Sequence, residues 1–328
     1  MTDNLLPNPK VLCNLGEFFA SGYFEVPDAS PMSRWSRAVQ RRFEHRMLVP
    51  YSGEILYPCG PLHIEGENRI VTPSYSFTWS YNESALIDQL AMVAAFSAER
   101  TTSEAAASLT SKQEEKHKTL LALQMEMRDL SAKLNVIKTV HTVGGHGYTH
   151  SIPNYGRVLR EGLFEHARRI AKNLDLARQR QDEEQIDFYL GLQNVLSGVK
   201  CWHQHILKFL NHLASERSHT DNPLSEARRK RLLAAYEQVP FQPARDFFEA
   251  MVAYNFVYYL DDCDNPGRVD LELFPYYQRD LKAGRITHDE AVDLIRCLWE
   301  NCDVNNGWST GIGGTMPTGE PAYSDLTV

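Results

Sequence analysis

The stretch "GRVDLELFPYYQRDLKAGRITHDEAVDLIRCLWENC", residues 267–302, decides how the chain is read. It opens on a tight Gly267-Arg268 pair, passes through Pro275 between aromatics, and closes on a well-signalled helix. Thr287 with Glu290 three residues on is a capping box, in which hydroxyl and carboxylate satisfy two orphan N–H groups reciprocally. In "AVDLIRCLWENC" Cys297 falls among Leu294, Ile295 and Leu298, the surroundings of a buried, inert thiol. Neither Cys297 nor Cys302 reads as an obvious nucleophile.

Upstream, helical signals dominate. "QPARDFFEAMVAYNFVYYL" is apolar on nearly every side and predicts a buried helix. "TDNPLSEARRKRLLAAYEQV" starts with Asn222-Pro223, a cap residue and a proline suited to the first helical position. "RVLREGLFEHARRIAKNLDLARQR" and "IDFYLGLQNVLSGVKCWHQHILKFLNHLASE" are both amphipathic. Residues 84–138 contain no Gly or Pro and read as core-facing helices, because their heptads are not sustained enough for a coiled coil. Residues 1–82 carry turn signals every few positions and read as loops with one or two short strands. The expected organisation is an irregular segment over 1–82 and a main domain over 83–328.

Composition narrows the function. The chain has 328 residues, 43% hydrophobic and 23% charged, with a net charge of −8 that does not favour nucleic acid. The basic run "SRWSRAVQRRFEHR", residues 33–46, reads as a solvated helix face rather than a phosphate-binding arm. No segment reaches 18 consecutive apolar residues, so no membrane span is expected. The N-terminus lacks a basic run followed by an apolar one, and the six scattered cysteines form no CxxC pair; both point to a cytoplasmic protein with reduced thiols.

His141, His146 and His150 bracket a glycine-rich loop, and His203, His205, His212 and His219 follow. They fit no short ligand motif such as HExxH, and no metal site is expected. His203 and His205 lie two apart on a helix and cannot share a face, which puts at least one on the surface. "GWSTGIGGTMPTGEP", residues 307–321, lacks the GK[ST] of a phosphate loop and reads as a strand end and turn. There is no GxSxG elbow for a serine hydrolase.

Three segments together resemble the pyruvate formate-lyase domain of the glycyl radical enzymes. Gly267-Arg268-Val269-Asp270, Phe274-Pro275-Tyr276-Tyr277 and Asp280-Leu281 through Gly284-Arg285-Ile286-Thr287 match one family segment. "VPFQPARDFFEAMVAYNFV" and "THSIPNYGRVLREGL" match two others, in the family's order. The resemblance covers roughly residues 145–325 and implies an α/β fold, predominantly helical: the N-terminal half of a ten-stranded α/β barrel. Residues 267–281 would enter that half, with proline and aromatics forming a packed corner.

The family's chemistry uses a glycine in an R-V-x-G-aromatic loop and a cysteine on a hairpin inside the barrel. Neither motif occurs here: the RV pairs read "RVLREG" and "RVDLEL". The resemblance thus implies a truncated or split enzyme with no catalytic residue of its own, inactive alone, and a complementary C-terminal chain. It implies no directly bound cofactor; the glycyl radical, installed by an S-adenosylmethionine iron–sulfur activase, belongs to the complete enzyme. That enzyme would act on a small polar substrate, as a homo-oligomer, by dehydratase, lyase or formate acetyltransferase-like chemistry. His150, Asp262 and Cys263 are the implied substrate-binding residues, with the side chains of His150 and Asp262 facing one cavity. A non-catalytic helical protein binding a partner chain is the alternative.

Overall fold

The structure, a computed structural model, describes residues 22–23, 25–46, 48–49, 51–60, 152–213, 223–261, 263–305, 307, 310–316 and 318–327. Its helices are α1 (Pro31–Glu44), α2 (Tyr155–Arg180), α3 (Glu183–His212), α4 (Pro223–Gln238), α5 (Phe247–Leu260), α6 (Val269–Lys282) and α7 (His288–Val304). The described residues contain no strand. An isolated antiparallel bridge between Thr315 and Pro321 is the nearest approach to one. The helical half of the α/β expectation is therefore what these residues show, and the helices expected over 84–138 lie outside them.

The centre is α5. Asp246 starts it by accepting from the Glu249 N–H at 2.8 Å, and every residue from Phe247 to Tyr259 is buried. A helix apolar all round is stable only when other elements cover every face. Here α2, α4, α6 and α7 supply that cover. Burying each of its large aromatics contributes about 2 kcal/mol before the entropy of ordering them.

Packing of α1 on α3 depends on two glycines one face apart, Gly191 and Gly198. A Cβ at Gly198 would lie 2.7 Å from the Gln40 carbonyl oxygen, so only glycine lets the two backbones approach. This contact also changes how the basic run is read. Arg37 and Arg41 do reach outward to Glu25, but Arg42 and Arg46 are buried. Arg46 donates to the carbonyls of Tyr259 (2.5 Å) and Leu260 (3.3 Å), closing the C-terminus of α5, and lies 4.7 Å over the Trp202 ring. The run is half surface and half core, and its 14-residue helix falls within the segment read as irregular.

α2 and α3 form a hairpin turned at Gln181, whose left-handed backbone ends α2, and Asp182, which caps α3 through the Gln185 N–H. Midway along α2, Gly162 has φ 71° and ψ 163°, a conformation essentially confined to glycine. The break frees the next two N–H groups, and they donate to Pro240 (2.9 Å) and Phe241 (3.0 Å). Two of the family-like segments therefore meet here, edge to edge.

On α3, His203 is buried with Nε2 2.8 Å from the Tyr236 carbonyl, and burial lowers its pKa. His205 is half-buried, so the two histidines differ as helical spacing requires, although neither is fully exposed.

The opening stretch departs from a packed corner. It forms α6, continuous through Pro275. Val269, Leu273, Tyr276, Tyr277 and Asp280 share the buried face while Pro275 itself is exposed. The helical period was thus present beneath the proline, and a solvent-facing proline leaves the packed face intact. α7 begins as expected at Thr287, which accepts from the Glu290 N–H at 3.2 Å. The reciprocal half of the capping box is replaced: the Glu290 carboxylate pairs with Arg231 of α4. Among the described residues, no helix is long and apolar enough to cross a membrane.

Candidate functional site

Residues 261–268 join α5 to α6 and contain two of the three implied substrate-binding positions. Asp262 and His150 lie outside the described residues. Cys263 lies within them, fully buried, with φ 59°. Its N–H donates to the Tyr258 carbonyl at 2.9 Å and its own carbonyl accepts from the Tyr258 hydroxyl at 2.8 Å.

The rest of the loop is clamped in the same way. Tyr155 donates to the Asn265 carbonyl at 2.7 Å, and Tyr254 donates to that of Pro266. The two rings stack at 4.0 Å, 8° from parallel. Gly267 takes φ 64°, with Ile152 and Tyr155 against its missing side chain. α2 therefore begins directly on the loop that carries Cys263.

From the other side comes the glycine-rich segment 307–316. Thr310 donates to the Gly267 carbonyl, and the Gly313 N–H donates to Asp270 Oδ2 at 2.7 Å. Asp270 has no solvent exposure and also accepts from Arg268 Nε (2.9 Å), Arg268 Nη2 (3.0 Å) and the Leu271 N–H (3.0 Å). Burial pushes its pKa up, but Arg268 and the Gly313 and Leu271 N–H groups outweigh that and hold it below the usual value. Structurally, then, the Gly-Arg-x-Asp motif is a latch between the start of α6 and the glycine-rich segment.

The bonds of this arrangement run from side chains to backbone and position it. Burial drives the hydroxyls of Tyr155, Tyr254 and Tyr258 toward higher pKa and pushes the Cys302 thiol up to about 11. All four are protonated at neutral pH. A Cys–His contact occurs on α3, where Cys201 Sγ lies 3.6 Å from His205 Nε2. Burial there raises the thiol and lowers the imidazole, opposite to the shifts of an activated pair. The described residues hold no group of three His, Cys, Asp or Glu side chains arranged for a metal ion. A cavity of about 950 Å³ lies between α7 and residues 312–327, lined by Tyr277, Ile295, Trp299, Ile312 and Leu326; Cys263 does not line it.

Sequence reasoning missed a second cluster, around residues 56–60. Asn255 in α5 donates to the Pro58 carbonyl at 2.7 Å, and Tyr259 to that of Gly60 at 2.6 Å. Asn301 in α7 accepts from the Gly60 N–H at 2.9 Å and donates to Asn255 Oδ1 at 3.0 Å. The signal was a lone asparagine in the apolar run "VAYNFVYYL": a buried amide requires partners, and none is local.

Comparison with known proteins supplies the family. A sequence model of the pyruvate formate lyase-like family matches residues 28–328. The isethionate sulfite-lyase of Desulfovibrio desulfuricans is 27% identical over 203 residues, 54% of this chain and 24% of the lyase. The trans-4-hydroxy-L-proline dehydratase of Clostridioides difficile is 32% identical over 93 residues, 25% of this chain and 12% of the dehydratase. A glycyl radical enzyme from Archaeoglobus fulgidus superposes with a TM-score of 0.66 at 16% identity, over 97% of this chain and 43% of that one. The matched part of the chain thus spans about a quarter of the lyase, and the chain covers under half of the solved enzyme. By the family match over most of its length, the chain belongs to the pyruvate formate lyase-like family, that of the glycyl radical enzymes.

Proposed function

We propose that residues 1–328 are the N-terminal part of a glycyl radical lyase or dehydratase acting on a small polar, hydroxylated or cationic substrate. The family match, with curated relatives that are a lyase and a dehydratase, carries the reading. In such an enzyme the glycine-centred radical supplies hydrogen-atom abstraction. Residues 1–328 contain no Arg-Val-x-Gly-aromatic loop, so the radical glycine and the relaying cysteine are assigned to residues outside them, and an S-adenosylmethionine iron–sulfur activase is the implied partner.

What these residues contribute is a wall and its support. His150 and Asp262 face the substrate, the histidine toward a hydroxyl and the carboxylate against anionic groups such as that of pyruvate. Their described neighbours support this pairing, since Ile152 and Tyr155 meet Asn265 and Gly267 directly. The buried Cys263 fixes the loop through its backbone, and the tyrosine clamp and Asp270 latch hold the loop's position without exchanging protons.

The test is electron paramagnetic resonance of the 328-residue chain after anaerobic incubation with a family activase. The expected result is no glycine doublet; a doublet assigned to this chain overturns the assignment of the radical to residues outside it.

A further inference from the structure

Among the six cysteines, two that are 238 residues apart in sequence are neighbours in space: Cys59 Sγ and Cys297 Sγ are separated by 3.8 Å. Both are thiols in the structure. The segment carrying Cys59 is held on both sides by the buried amides described above, with Pro58 on Asn255 and Gly60 on Asn301. Asn301 lies one helical turn beyond Cys297, so one face of α7 provides both the thiol and the anchor for its partner's loop. We propose that Cys59 and Cys297 are a reversible dithiol–disulfide couple that fastens residues 56–60 to α7.

The surroundings favour the exchange. Cys297 is 3% exposed, whereas Cys59 is partly open to solvent and is the sulfur that a small oxidant meets. The Cys59 S–H and the Leu56 N–H stabilise a Cys297 thiolate and lower its pKa, while the same contact raises that of Cys59. Glu54 and Glu300 both disfavour negative charge at the pair. Loss of the Cys59 proton, to a Cys297 thiolate or to solvent, presents a Cys59 thiolate where a small oxidant reaches it.

The oxidant is a low-molecular-weight disulfide of the glutathione type. The Cys59 thiolate attacks one of its sulfurs, breaking the S–S bond and releasing one small thiolate, which takes up a proton. Cys297 then loses its proton and attacks Cys59 Sγ in the mixed disulfide, expelling the second small thiol. The protein loses two electrons and two protons, and one small disulfide becomes two thiols. The sulfurs must close from 3.8 Å to about 2.05 Å, a movement within reach of side-chain rotation and a small loop shift.

The experiment equilibrates the full chain with reduced and oxidised glutathione at a series of ratios. Acid quenching, alkylation and peptide mass spectrometry follow. The expected result is one linked peptide pair containing Cys59 and Cys297, with Cys13, Cys201, Cys263 and Cys302 still alkylated. The linked fraction rises from about a tenth to about nine tenths over a roughly hundredfold change in [GSH]2/[GSSG], as mass action requires of one two-electron bond. Cys59→Ser abolishes the link and leaves Cys297 alkylatable only on unfolding. Full alkylation of both residues at every ratio overturns the proposal, as does Cys59 ending as the glutathione mixed disulfide. Both readings use the wild-type chain, so they stand even where Cys297→Ser does not fold.

Discussion

Replacing Asp270 by Asn tests whether the Gly-Arg-x-Asp motif is the latch described here. The amide has nearly the shape of the carboxylate, so packing is kept and only the hydrogen-bond chemistry changes. Asp270 accepts four bonds, two on each oxygen. An asparagine places an NH2 on one side, and that group then faces two donors. If it faces the glycine-rich segment, the buried Gly313 N–H loses its acceptor, which costs about 1–3 kcal/mol. Arg268 Nη2 is displaced as well, but the arginine is 31% exposed and turns to water, so that loss is about 1 kcal/mol or less. The opposite flip strands the Leu271 N–H and Arg268 Nε instead. The expected destabilisation is roughly 2–4 kcal/mol by denaturant titration. Hydrogen exchange reads it locally: 2 kcal/mol of easier opening speeds exchange of the Gly313 amide about 30-fold. The effect also has a sign in pH. Asp270 is held below its ordinary pKa, so its contribution is complete above about pH 4 and is lost as pH falls toward the folded-state value. The gap between wild type and Asp270→Asn should therefore narrow in acid. A variant within about 0.5 kcal/mol of wild type at pH 7, with unchanged Gly313 exchange, would refute the latch.

Gly162→Ala should destabilise by about 3 kcal/mol or more, because φ is 71° and the added Cβ would lie 2.5 Å from the Phe241 carbonyl oxygen; a denaturation midpoint near wild type is the contrary result. Asn301→Leu leaves the half-buried Gly60 N–H and the buried Asn255 Oδ1 unpaired and should cost roughly 1–4 kcal/mol, with strong coupling to Asn255→Leu in a double-mutant cycle. Asp280 accepts from the Phe247 N–H at 2.6 Å and from Arg279 and Arg285, and these partners outweigh burial to hold its pKa low. Its stabilisation is likewise lost as pH falls below about 4, so Asp270→Asn combined with Asp280→Asn should flatten the acid limb of a stability-against-pH curve.

Much of the helical scaffold could be read from short-range signals. The all-round apolar run fixed α5 as central, and Asn-Pro and Thr287 marked the starts of α4 and α7. Each of these rests on neighbours within a turn or two of helix. What the sequence concealed depends on partners far away. Pro275 suggested a corner because a proline's strain is local, whereas its exposure is decided by what α6 packs against. Arg42 and Arg46 looked solvated because charge is visible in sequence, while the carbonyls of Tyr259 and Leu260 that accept from Arg46 are more than 200 residues away. The Cys59–Cys297 contact escaped for the same reason: no spacing rule links them. The Gly-Arg-x-Asp motif was legible as a resemblance, but its acceptor role toward Gly313 was not.

The clamp on residues 56–60 also imposes an order of events on a ribosome. Leu56 and Tyr57 are wholly buried, and their segment is held by Asn255, Tyr259 and Asn301. At about 5–20 residues per second, some 200 residues of synthesis separate the segment from its partners, a delay of roughly 10–40 s. For that interval two large apolar side chains have no native site to occupy. Asn301 arrives later still, and the last bond of the clamp closes only after α7 has left the exit tunnel. A segment made early in synthesis is thus among the last to be finished, and a chaperone that shields nascent apolar chain would find its substrate here.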